Sequence, residues 1–356
     1  MEESSNIEDL FNTIPISRVT RNPVVGVKQK LLATSTLCIE PRYERILNRF
    51  IDTKPFKILD APGMVDDYYL NLLDWSSNNI LSIGLGDSIY TYNYNNGTVD
   101  EIFSGNEPVT SVKSCNNILS IGLNSGKNIF YDLDVQKIGM YKKYHDMRIA
   151  SMSWNGNILC TGGKSGKIVV QDVRSNSNDV LTGHTQEVCG LEWSPDYKYL
   201  ASGSNDNDIR VWHNNHTYKT LKEHKSAVKA LAWCPWKSGV LASGGGTKDK
   251  SIKFWDVYEG SKICETQVNS QVCTLTYINK YKELISSHGY LDNNIILWKA
   301  STMKQVIAFG KHEQRVLHCA ISPDNTILAS VSSDENLKFW KVCDKTKKTK
   351  KEQVLE

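Results

Sequence analysis

His184 and Asp206 are the residues here best suited by type to acid–base chemistry, because a carboxylate beside an imidazole can orient it as a general base. Further histidines at comparable places, His145, His224 and His312, open similar stretches of sequence. A hydrolase or transferase would also need a nucleophile–base–orienter set, a phosphate loop or a metal cluster. Two Gly-rich runs, "GLGDS" and "SGGGTKD", lead into no predicted helix, so neither makes a P-loop. The nine cysteines are scattered and form no C-x-x-C pair, which argues against a structural zinc site. Most of them, such as Cys160, Cys189, Cys273 and Cys319, lie in strand-like segments and read as small buried hydrophobes in a reducing compartment. The residue chemistry therefore points away from an enzyme and from any metal or cofactor.

The elements that would hold these side chains form a repeat. Four stretches end alike, "IRVW" at Trp212, "IKFWDV" at Trp255, "IILWKA" at Trp298 and "LKFWKV" at Trp340. Weaker copies run to Tyr92, Tyr131 and Gln171. A period of about 40–45 residues with this strand-ending pattern is the signature of a WD40 β-propeller. The predicted fold is all-β, a seven-bladed propeller over residues 54–343, with an extended arm at 1–53 and a short basic tail at 344–356. One unit shows the expected chemistry: Gly183-His184, an alternating strand at 188–193, a Ser-Pro-Asp turn, a second strand at 199–202, a turn from Gly203 to Asp206 and a third strand at 209–212. In this repeat the opening His and the turn Asp are expected to join a buried hydrogen-bond network, which makes His184 and Asp206 structural. The tryptophans are expected to be blade core. "FKILDAP" is expected to add an outer strand to the last blade, closing the ring and removing its exposed edge.

Composition narrows the partners. Forty per cent hydrophobic and 23% charged residues suit a globular domain, and a net charge of +3 is too small to imply nucleic acid or a membrane. No apolar run reaches the length of about 20 residues that spans a bilayer. The start "MEESSNIEDLFNT" is acidic and polar, unlike a secretory signal. The sequons at Asn96 and Asn215 are then without consequence. The basic run "KTKKTKK" reads as solvated charge or as a nuclear import signal, and the chain is expected in nucleus and cytoplasm.

Several long stretches go beyond a generic repeat: "KILDAPGMVDDYYLNLLDWSS", "QEVCGLEWSPD", "LASGSNDN", "AVKALAWCPW", "LASGGGT", "SQVC" and "KELISSHGY". In this order they resemble the Fizzy family, the substrate-recruiting activators of the anaphase-promoting complex, over about residues 56–342. "AWCPW" and the arm look more like the mitotic activator than the Fizzy-related one. The resemblance implies a non-catalytic receptor that binds degradation signals, the KEN box and the destruction box, and presents substrates such as cyclins and securin to the ubiquitin ligase. It also implies a monomeric propeller and spindle-checkpoint proteins as further partners.

For the KEN box, the positions implied are Asp67, Asn205, Asn207, Thr247, Gln271 and Arg315, all expected in turns or at strand ends. They suit the ligand chemically. Asp67 offers a carboxylate to lysine, and the Arg315 guanidinium offers a fork to glutamate. The amides of Asn205, Asn207 and Gln271 offer donors and acceptors to asparagine. Taken singly, Asn205 and Asn207 also read as ordinary turn residues. For the destruction box the implied positions are Leu59, Asp60 and Glu335, between first and last blades; Asp60 would receive the arginine and Leu59 would line the leucine pocket. Ring closure alone would also explain Leu59 and Asp60.

The arm carries weaker matches. The family's ligase-docking C-box, D-R-[FY]-I-P-x-R, is approached by "FNTIPISR", which keeps Ile14 and Pro15 and has Arg18 one place late. "KQKLLATS" contains Lys30, Leu31 and Leu32, a basic–apolar run suited to strand addition by a checkpoint protein. The family's Ile-Arg ending is replaced by "EQVLE". A WD40 scaffold of another assembly, or a decoy that has lost ligase docking, is the alternative reading.

Overall fold

The computed structural model describes residues 51–175 and 177–343. The expectations for the arm and tail, including Ile14, Pro15, Arg18, Lys30, Leu31 and Leu32, fall outside those residues. The described chain folds into seven four-stranded antiparallel sheets, the predicted seven-bladed β-propeller. Blades 1 to 6 each take four consecutive strands, spanning residues 73–104, 109–143, 149–181, 188–221, 228–267 and 272–309. Blade 7 takes three strands from 316–341 and borrows its outermost strand, Lys57–Asp60, from the start of the domain. That strand pairs in register with the last one, Leu59 opposite Leu337 and Asp60 opposite Asn336. The ring is thus closed as expected, with the last strand of the chain, Asn336–Lys341, covered on its outer side by the first.

The alternation that marked each unit becomes packing between blades. The second and third strands bury one face against the next blade's inner strand; Ala201, Ile209 and Val211 of blade 4 cluster with Val228, Leu231 and Trp233 of blade 5. Inner strands such as Val228–Trp233 are buried along their whole length. Ile51, the first described residue, is already buried against blades 6 and 7, beside Phe309 and Trp340. Among the described residues the sole helical piece is the short 3-10 turn Asn279–Tyr281.

One strand boundary differs from expectation. Blade 4's second strand runs Leu200–Ser204, so Gly203 lies inside it and the turn begins at Asn205. The glycine answers to close approach, not to turn geometry, because a Cβ there would sit 2.4 Å from the Val228 carbonyl oxygen of blade 5.

The opening histidines take the structural role anticipated. In blade 4 the Trp212 indole N–H donates to Ser202 Oγ (2.8 Å), which lies 2.8 Å from His184 Nε2, while His184 Nδ1 lies 3.0 Å from Asp206 Oδ2. The same chain links Trp255, Ser243, His224 and Asp249 in blade 5. Blade 7 repeats it with Trp340, Ser330, His312 and Asp334. An Asp–His–Ser series resembles a hydrolase triad. Here, however, the serine is fully buried and its oxygen already accepts an indole N–H, so it faces no substrate. Blade 6 lacks the opening histidine, and His288, from the end of its second strand, contacts Ser286 Oγ at 2.7 Å instead.

These networks predict an acid-sensitive fold. Burial pushes the His145 and His288 imidazoles down to about 4. Their folded values lie below the unfolded one of about 6.5, so the unfolded chain takes up protons first. Stability is complete above pH 6.5 and declines as pH falls toward 4. For Asp206, burial pushes the carboxyl up, but the His184 contact and the Thr185 and Asp208 N–H groups outweigh it and hold it at about 2. Its contribution is present above about 3.9 and is lost as pH falls through 2. Melting temperature against pH is expected to fall in two stages, and a flat profile between pH 7 and 4 would contradict the buried neutral histidines.

Candidate functional site

Between the closing strand and blade 1, residues 61–71 cross one mouth of the central channel. Local chemistry shapes this crossing. The Asp67 carboxylate accepts the Tyr69 N–H (2.9 Å), an Asx-type turn, and the Tyr68 and Tyr69 rings pack edge to face at 5.5 Å. Tyr68 is buried against Ala227 and Cys273, and its hydroxyl donates to the Val272 carbonyl (3.0 Å). Asn71 donates from Nδ2 to the carbonyls of Ala150 (2.7 Å) and Cys189 (2.9 Å). With the Asn71 N–H on the Thr110 carbonyl, the crossing touches the inner rims of blades 2 to 6. Beneath it lies a cavity of about 740 Å³ whose charged lining includes Lys229 and the Asp74–Lys113 ion pair (2.9 Å). Burial pushes the Lys229 ammonium down; its Nζ donates to the Leu317 carbonyl (3.1 Å) and sits 5.7 Å from the Tyr68 ring centroid.

Two charged clusters lie on this crossing. On one side the Asp67 carboxylate receives an Arg148 N–H at 2.7 Å, and Arg148 also grips Glu187 with two bonds, at 2.6 and 2.9 Å. The hydrogen bonds that Arg148 donates to Glu187, and then the charges of Glu187 and Asp67, hold the guanidinium further up than usual, against burial. On the other side the Arg315 Nε donates to the Asp66 carboxylate and a terminal N–H donates to the Asp66 carbonyl (2.6 Å). Arg315 is only 8% exposed and lies 4.9 Å from the Tyr290 ring centroid.

The six residues expected to read a KEN box lie on the face that carries the blade connectors and the turns between second and third strands. Asp67 reaches Asn205 through Tyr69, whose hydroxyl donates to Asn205 Oδ1 (3.0 Å). Thr247 donates to Gln271 Oε1 (2.8 Å), and Gln271 itself is buried. Arg315 adjoins Asp67 through Asp66. Asn207 holds the left-handed position of its turn (φ 72°), and no hydrogen bond among the described residues joins it to the other five. Sequence reasoning treats Asp67 and Arg315 as free charges, whereas each already holds an opposite charge. It misses Asp66, Arg148, Glu187, Tyr69 and Tyr290. The run "VDDYYL", two carboxylates and two phenols directly after the closing strand, is the signal that marked this segment.

The second site sits where the crossing begins. Leu59 and Asp60 point to opposite faces of the closing strand, as alternation requires. Leu59 packs half-buried on the cluster shared by blades 7, 1 and 2, while Asp60 is exposed. Glu335 is exposed in the adjacent turn, at φ 59°, and its Oε1 accepts the Gly63 N–H (2.9 Å). All three share one corner, and a ligand touching both Leu59 and Asp60 straddles the strand's end.

Among the described residues no group of three or more His, Cys, Asp or Glu is arranged to hold a metal, and no disulfide joins two of the cysteines.

Comparison with known proteins places this geometry. The CDC20/Fizzy WD40 domain matches residues 59–340. "Cell division cycle 20.5, cofactor of APC complex" of Arabidopsis thaliana is 40% identical over 91% of this chain and 76% of its own length. "WD repeat-containing protein slp1" of Schizosaccharomyces pombe is 42% identical over 83% of this chain and 63% of its own. "Anaphase-promoting complex subunit cdc20" of Dictyostelium discoideum is 40% identical over 84% and 62%. The chain thus spans about three-fifths to three-quarters of the length of these relatives. A chain of a solved structure described as "Crystal Structure of Mitotic Checkpoint Complex" superposes with a TM-score of 0.81 at 39% identity, covering 89% of this chain and all of that one. With the family domain matched across the ring from closing strand to last blade, this chain belongs to the CDC20/Fizzy family.

Proposed function

We propose that this chain is a non-catalytic substrate receptor and activator of the anaphase-promoting complex, reading KEN-box and destruction-box signals in its substrates. One observation carries the reading. A single stretch, residues 59–71, supplies half-buried Leu59 and exposed Asp60 on the two faces of the closing strand's end, and Asp67 at the channel mouth. The two signals are thereby received by neighbouring parts of one surface, where an extended substrate segment can reach both. The lysine of a KEN box meets Asp67, its glutamate meets Arg315, and its asparagine meets the amides of Asn205 and Gln271. The arginine of a destruction box meets Asp60 and Glu335. Relatives named as cofactors or subunits of that complex, and the checkpoint-complex neighbour, support the ligase and checkpoint proteins as partners.

The test combines a pull-down of purified ligase with peptide titrations, using the full chain and a version lacking residues 1–50. Ligase capture that depends on residues 1–50, together with binding of both peptides, is the expected result. Peptide binding without ligase capture would leave a receptor or decoy and would end the activator reading.

A further inference from the structure

We propose that Asp66 is a competitor built into the site: it occupies Arg315 in place of the ligand's glutamate and so sets how tightly the site accepts an acidic side chain. This rests on the KEN-box reading above and deepens it.

The two charged clusters differ in what happens when a ligand arrives. Asp67 shares Arg148 with Glu187, and Glu187 holds that guanidinium by two bonds. A ligand ammonium can take Asp67 while Arg148 stays neutralised. Among the described residues no second carboxylate pairs with Arg315. Asp66 alone fills its Nε edge, by carboxylate and backbone carbonyl together. An incoming carboxylate must therefore either displace the Asp66 side chain or dock on the remaining N–H groups beside it. Displacement loses a charge-assisted bond; docking beside it places two like charges next to each other. Either route lowers affinity for an acidic ligand. The Asp66 side chain is 48% exposed against 9% for Arg315, so the carboxylate has water to move into.

The geometry also says which substitution isolates the effect. In Asp66→Asn the amide oxygen still accepts from Arg315 Nε. The backbone carbonyl bond (2.6 Å) and the Tyr290 ring at 4.9 Å still orient the guanidinium. The negative charge is lost, and the weak bond from the Tyr290 hydroxyl to Asp66 Oδ2 (3.5 Å) is replaced by one in which the new amide N–H donates to that hydroxyl.

The full chain and its D66N variant are titrated with a Lys-Glu-Asn peptide and with a Lys-Gln-Asn peptide, with melting temperatures as a folding control. The Lys-Glu-Asn peptide is expected to bind D66N roughly five- to tenfold more tightly than the unsubstituted chain, a gain that shrinks at high salt. The Lys-Gln-Asn peptide, which keeps the lysine but brings no carboxylate to Arg315, is expected to gain nothing. Equal or weaker Lys-Glu-Asn binding by D66N, while the unsubstituted chain still prefers glutamate to glutamine, would overturn the inference and make Asp66 a positioning residue for Arg315. Failure of the unsubstituted chain to distinguish the two peptides would instead remove the KEN-box reading, and the inference with it.

Discussion

Replacing Arg315 with alanine is expected to weaken KEN-box peptide binding by about 2–4 kcal/mol, a loss of roughly 30- to 1000-fold in Kd. The size follows from where the guanidinium sits. It is 8% exposed, backed by the Tyr290 ring and held by Asp66, so a ligand carboxylate meets it partly shielded from water. Truncation leaves that carboxylate without a partner, which costs more than the bond's net worth. The protein itself loses little, because Asp66 and Tyr290 are both exposed enough to be hydrated. Arg315→Lys should fall between the two, keeping the charge and losing the fork. Isothermal titration with KEN and destruction-box peptides reads the result. Unchanged KEN affinity removes the assignment, and an unchanged destruction-box affinity is the control for an intact ring.

What the sequence discloses and what it hides separate along physical lines. Seven strand-ending aromatics or their substitutes, from Tyr92 to Trp340, mark the third strand of every blade, because each must fill the same interior position. The closing strand was legible for a similar reason: a propeller with an open edge would be an aggregation hazard, and "FKILD" was the strand left over. Hidden instead were pairings between residues far apart in the chain. Arg148 with Asp67, Arg315 with Asp66 and Tyr69 with Asn205 each join residues separated by most of a blade or more. No periodicity records them, since each is made by the crossing over the channel rather than by the repeat. His288 shows the same limit inside a blade. Where the opening histidine is missing, the imidazole reaches the same serine position from two residues further along the serine's own strand instead of from the connector before the blade.

The second large effect is expected at the other end of the crossing. Asp60→Lys should abolish destruction-box binding, by at least about 100-fold, while sparing the KEN box. Two unit charges about 4 Å apart near a protein surface interact by about 4 kcal/mol, and reversal turns that attraction into repulsion toward the signal's arginine. Asp60 tolerates the change structurally. It is exposed, its strand is held by backbone pairing with Asn336, and the next residue's N–H donates to the Glu335 carbonyl (2.7 Å). The loss should shrink as ionic strength rises, as an exposed pair requires. Equal loss of both peptides would indicate an opened ring rather than a lost contact. Glu335→Ala should do less to binding and more to the turn, because one Glu335 oxygen is already spent on the Gly63 N–H. An ordering of Asp60→Ala well above Glu335→Ala, one charge removed in each, therefore separates a carboxylate that faces the ligand from one that mainly holds the crossing in place.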